Sequence, residues 1–198
     1  GLDTIDLYAP IKNKGQDGIS CLRRVRKISG HMDSVLSFDC DRRRLITGSV
    51  DRSVRICDIR TGKSIHKLLG HKGGVTCLTF EETILFTGSW DMSIMVWDLV
   101  HFTRLAFLTG HRGSISALIL TPDAVVSSSH DGTVKIWSKE TYECKHTMEL
   151  HSAPIMDMKL DEGQFIITGS SDKTIKIVEL RNQTVLIEIE GPDPIHRL

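Results

Sequence analysis

The chain has 198 residues, of which 40% are hydrophobic, with 25 Lys plus Arg against 25 Asp plus Glu. That length allows one domain with a sizeable buried core. A zero formal charge argues against a dedicated nucleic-acid or membrane-surface binder, which carries a basic excess. The local basic runs, RRVRK at residues 23–27 and RRR at residues 42–44, read as solvated strand and turn faces.

The five cysteines (Cys21, Cys40, Cys57, Cys77 and Cys144) are odd in number and form no C-x-x-C pair. They argue against a disulfide framework or structural zinc site and for free thiols in a reducing, intracellular compartment, cytoplasm or nucleus. No apolar stretch reaches the length of a membrane helix. The N-x-T sequon at residues 182–184 reads as chance.

In chain order, residues 1–20 carry no periodic pattern and read as a linker or extended arm. Residues 21–28 (CLRRVRKI) sit where an outer strand should precede a first repeat. A period of forty residues then begins: Gly30-His31, Gly70-His71 and Gly110-His111 recur at that interval, and Leu150-His151 continues it. The mid-period aspartates are Asp51, Asp91, Asp131 and Asp172. The positions closing the third strand are Cys57-Asp58, Trp97-Asp98, Trp137-Ser138 and Val178-Glu179. The repeats span about residues 30–69, 70–109, 110–149 and 150–190, and residues 191–198 (GPDPIHRL) read as the start of a further repeat.

Within a period, apolar residues alternate. Val54/Ile56, Ile94/Val96, Val134/Ile136 and Ile175/Ile177 each point to one face, as strand residues must. Runs ending in small residues (RLITGS, ILFTGS, VVSSS, FIITGS) precede them. Short strands without helical periodicity imply an all-β chain with four strands, a to d, per period.

That topology brings His and Asp together. In an antiparallel meander the b–c turn lies at the same end as the connection entering strand a. The His in that connection therefore meets the Asp of the turn. A strand-b hydroxyl (Ser49, Ser89, Ser129 or Ser170) and the strand-c indole are expected to extend the network, which is stabilising when every member is satisfied.

Four periods in phase over about residues 21–198 resemble WD40 repeats, each of which folds as one blade of a β-propeller. The resemblance implies four complete blades plus partial blades at each end, a fragment of a seven-bladed ring. It implies structural tetrads at His71, Ser89, Asp91 and Trp97 and at His111, Ser129, Asp131 and Trp137. Partial tetrads follow at His31, Ser49 and Asp51 and at His151, Ser170 and Asp172, because Cys57 and Val178 stand where Trp is expected.

Ser, His and Asp also compose hydrolase triads. Here the trio recurs in every repeat at a strand end, and no G-x-S-x-G nucleophile elbow is present. Each His belongs to its own repeat, so the four do not converge on one ion. No catalytic, cofactor-binding or metal set is expected.

The function implied is non-catalytic protein or peptide binding, with no small-molecule substrate, membrane or nucleic acid as partner. The short a–b turns and phrases such as CDIRTGKSIHKLLGHKGGVTCL are most similar to the F-box/WD-repeat substrate receptors of ubiquitin ligases. The alternative is a scaffold subunit or adaptor of a large assembly, of the RNA-processing or organelle-fission type. Residues 1–20 hold no F-box helical segment. Phosphopeptide receptors of this kind use rim arginines, and the matching rim positions here are Leu36, Thr76, Ser116 and Met156 on strand a, and Val50, Trp90, His130 and Ser171 before the turn aspartates. These are expected to form the partner-binding rim; Trp90 either tucks against a neighbouring blade or, if exposed, is the rim's apolar anchor.

Overall fold

The computed structural model describes residues 5–9, 24–161 and 163–198. Strand β1 (Ile5–Ala9) pairs antiparallel with β2 (Arg24–Ile28). The strand read in residues 21–28 is β2, and it takes its partner from the N-terminal arm. Cys21 and the rest of the arm lie outside the described residues.

Four antiparallel four-stranded sheets follow, each a meander in sequence order. Blade 1 holds β3 (Val35–Cys40), β4 (Arg44–Ser49), β5 (Ser53–Asp58) and β6 (Ser64–Leu69). Blade 2 holds β7 (Val75–Glu81), β8 (Ile84–Ser89), β9 (Ile94–Asp98) and β10 (Thr103–Leu108). Blade 3 holds β11 (Ile115–Leu120), β12 (Ala124–Ser129), β13 (Thr133–Ser138) and β14 (Cys144–Glu149). Blade 4 holds β15 (Ile155–Asp161), β16 (Phe165–Ser170), β17 (Thr174–Glu179) and β18 (Thr184–Glu190). The described residues contain no helix. Consecutive blades meet through their first strands, β3 beside β7, β7 beside β11 and β11 beside β15.

The core lies between blades. Ile46, Val54, Ile56 and Leu68 of blade 1 pack on Val75, Leu78, Leu85 and Trp97 of blade 2. Phe86, Ile94, Val96 and Leu108 then meet Ile115, Leu118, Val125 and Trp137. Val126, Val134, Ile136 and Met148 meet Ile155, Met158, Ile166 and Val178. Each sheet therefore has two apolar faces. Strand alternation assigns one residue set to the preceding blade and the other to the next.

Close approach at these seams selects small residues on the second strand. A Cβ on Gly48 would stand 2.6 Å from Val75, and one on Gly88 would stand 2.6 Å from Ile115. Gly169 repeats the arrangement with Ile195, also at 2.6 Å. The Ile195 amide donates to the Ser170 carbonyl at 2.9 Å. Residues 191–198 thus cover blade 4 at the place where a first strand covers each earlier blade. Blade 1 differs on its other face. Phe38 is 62% exposed, whereas Leu78, Leu118 and Met158 at the same register are 8%, 9% and 4% exposed.

Candidate functional site

All four histidines meet their aspartates. The Nδ1–Oδ2 distances are 3.0 Å for His31–Asp51, 2.9 Å for His71–Asp91, 3.0 Å for His111–Asp131 and 2.9 Å for His151–Asp172. A carboxylate only accepts, so Nδ1 carries the proton and Nε2 of the neutral ring is an acceptor.

The hydroxyl that serves Nε2 is not the one expected. It belongs to Thr47, Thr87, Ser127 and Thr168, at 2.8, 2.8, 2.8 and 2.9 Å. Trp97 Nε1 donates to Thr87 at 2.9 Å and Trp137 Nε1 donates to Ser127 at 2.8 Å. Ser49, Ser89, Ser129 and Ser170 lie two residues further along the strand, about 7 Å past the buried ring. Their Oγ atoms instead accept from the backbone N–H of Asp51, Asp91, Asp131 and Asp172, each at 3.1 Å. Ser49 also donates to the Asp33 carbonyl of the entering loop, at 3.1 Å.

A further hydroxyl completes each turn. Ser53, Ser93, Thr133 and Thr174 donate to Oδ1 of the turn aspartate two residues earlier. Sequence reading passed over them, although Asp followed two residues later by Ser or Thr in every period is the mark of an Asx-type turn.

Burial works against the charge of Asp91, yet hydrogen bonds from His71, Ser93 and the Lys72 amide outweigh it and hold the carboxyl well below the usual range. Asp131 and Asp172 are held down to about 2 against the same burial penalty, chiefly by the Arg112 amide and Thr133 and by Thr174 respectively. Burial also lowers His31, His111 and His151, each opposed by its aspartate. Neutral imidazoles on ionised carboxylates are tie-points that fix the turns. Among the described residues no three metal-ligating side chains cluster.

The rim residues divide. The Trp90 ring is 45% exposed and lies over Gly74, where a Cβ would stand 2.8 Å from Cε3. The same Cβ would be 3.2 Å from Cα of Val50, so Gly74 sits between the Trp90 ring and the backbone of the first blade. Met92 and Met32, not singled out by the sequence, are exposed at the turn and loop of that end. Leu36 and His130 are exposed as well. Val50, Met156 and Ser171 are half-buried, and Met156 stands two blades away from Trp90. Thr76 and Ser116 are committed inward. Thr76 Oγ1 donates to the Ile115 carbonyl at 2.6 Å, and Ser116 pairs with Ser128 at 2.9 Å.

The family model described as "WD domain, G-beta repeat" matches residues 15–58, 62–98, 102–138 and 142–179. The chain belongs to the WD-repeat family, whose propellers are in general non-catalytic platforms for proteins or peptides. A search of curated proteins returned no match. Among solved structures the chain is similar to the computationally designed Ika8 protein. The two share 27% identity at a TM-score of 0.79, over 85% of this chain and 53% of that one. The chain thus spans about half the length of the designed protein.

Proposed function

We propose that the chain is a protein-interaction platform whose partner presents an uncharged or apolar segment to the rim around Trp90. The observation that carries this reading is the half-exposed indole itself. It lies over Gly74, with Met92 exposed in the same turn. Aromatic rings are the usual anchors of binding hot spots, and exposed apolar patches with polar borders mark partner sites.

The experiment compares the proteins captured by the parent and by Trp90→Ala, with a thermal melt as fold control. A loss of affinity of about 2 kcal/mol or more for the captured partner, with an unchanged melt, supports the reading. Identical partners at identical affinity overturn it.

A narrower proposal is the substrate-recognition propeller of an F-box-type ubiquitin ligase. The tight a–b turns support it: β7 passes to β8 through Glu82 and Thr83 alone, with Glu82 at φ 51°. An F-box segment upstream in the full-length transcript favours this role. A different upstream domain favours the scaffold of a larger assembly.

A further inference from the structure

On the face that carries the histidine network, one residue of each third strand stands opposite one of the fourth. The pair is Met95 and Phe107 in blade 2, Lys135 and Thr147 in blade 3, and Lys176 and Glu188 in blade 4. Each is chemically matched. The first is apolar, in the second Lys135 donates to the Thr147 hydroxyl at 2.7 Å, and in the third Lys176 lies 3.3 Å from the Glu188 carboxylate.

Blade 1 breaks the series, because Arg55 faces Lys67. Like charges directly opposite one another in an antiparallel pair repel. The Arg55 guanidinium lies against Gly30, where a Cβ would stand 2.8 Å from Nη1. Its Nε is buried, with no hydrogen-bond partner among the described residues. A charged group with a desolvated, unpaired N–H is costly, and an arriving acceptor removes that cost. Arg55 and Lys67 are themselves half-buried. Their counterparts line open grooves, of about 370 Å³ beside Met95 and Phe107 and about 370 Å³ beside Lys135 and Thr147. Both grooves stay open although a preceding blade packs alongside.

We propose that a carboxylate from an acidic segment of a partner protein docks between Arg55 and Lys67. Blade 4 displays the chemistry within this same chain, since there a strand-d carboxylate answers the strand-c cation. A guanidinium fork matches a carboxylate in two hydrogen bonds, and the neighbouring ammonium supplies a second charge. This inference rests on the interaction-platform reading and adds a second contact, separate from Trp90.

The test uses the whole 198-residue chain and fluorescein-labelled hexaglutamate as probe, followed by anisotropy at low salt. Arg55→Met copies blade 2 and Lys67→Glu copies blade 4. Both are expected to weaken binding at least tenfold, while Arg42→Met, at an exposed turn, leaves it unchanged. Lys67→Glu is expected to melt no lower than the parent, because the introduced carboxylate answers Arg55 internally. Unchanged affinity in either site variant overturns the proposal, as does an equal loss in Arg42→Met. Displacement of the probe by inorganic phosphate or a short oligothymidylate at lower concentration than by unlabelled hexaglutamate also overturns it, in favour of a phosphoryl occupant. Trp90→Ala is expected to keep hexaglutamate binding. A failure here with Trp90-dependent capture intact therefore removes this site alone, and the converse removes the rim reading alone.

Discussion

Trp97 donates its indole N–H to Thr87 at 2.9 Å, and the same hydroxyl lies 2.8 Å from His71 Nε2. Proton roles run one way along this path. Indole gives to hydroxyl, hydroxyl to imidazole, and imidazole to the Asp91 carboxylate. Every member is satisfied, and the path ties third strand, second strand, entering loop and turn together with side chains alone.

Thr87→Val is nearly isosteric and leaves two buried groups unpaired, the indole N–H and Nε2. It should destabilise the chain by about 2–4 kcal/mol, summing roughly 1–3 for each orphaned group with partial relaxation. Thr168→Val orphans only His151 Nε2, because Val178 stands where the indole would be. Its cost should be about half as large. Urea melts of the two variants check this, and equal losses would contradict the role given to the tryptophans.

The fold was legible because a forty-residue period and two-residue alternation are both written in side-chain type. The His–Asp pairs were legible from topology, since a meander returns its b–c turn to the entering loop. The hydroxyl was not. In ITGS and FTGS, Thr and Ser lie two residues apart on one face, and pattern alone does not say which pleat the ring reaches. Thr87 sits beneath His71, while Ser89 stands at the mouth of the turn. The rim was half legible. Trp90 is half-exposed, an outcome its position in the pattern left open, and Thr76 turns to the Ile115 carbonyl of the next blade, a contact no local pattern encodes.

Close approach between blades yields a second prediction. Gly88→Ala places a Cβ 2.6 Å from both Cys77 Sγ and Ile115 Cγ2, so the seam between blades 2 and 3 must shift. Overpacking of this kind should cost about 1–3 kcal/mol. Gly163, with nothing within 4 Å of a built Cβ, lacks that crowding. Its φ of 72° makes Gly163→Ala a measure of backbone strain without packing. The difference between the two denaturation midpoints isolates the seam. A Gly88→Ala cost no larger than that of Gly163→Ala would argue against tight inter-blade packing.

Stability should also depend on pH in a stated direction. Burial lowers the folded-state pKa of His31, His111 and His151 below the ordinary 6.5. Near that pH the unfolded chain binds more protons than the folded one. These histidines thus contribute stability above 6.5 that is lost as pH falls. A second loss follows below 3.8, as the unfolded carboxyls protonate while Asp131 and Asp172 hold out to about 2. Melting temperatures should fall between pH 8 and pH 5.5 and fall again below pH 4. A melting temperature that rises on acidification through 6.5 would contradict the neutral state assigned to the histidines.

The rim anchor can be probed without touching the anchor itself. Gly74 leaves room for the Trp90 ring, and an added Cβ would stand 2.8 Å from Cε3 and 2.9 Å from Cζ3. Gly74→Ala must lift or rotate the indole, because the Val50 backbone blocks movement the other way. Trp97 and Trp137 are buried, so acrylamide quenching of intrinsic fluorescence reports mainly on Trp90. The variant should quench more steeply than the parent, and Trp90→Ala should lose most of the quenchable signal. Partner affinity should fall in Gly74→Ala by about 1–2 kcal/mol, less than in Trp90→Ala, because the ring is displaced and not removed. If quenching rises while partner affinity stays at the parent value, the pre-positioned indole is not what the partner reads.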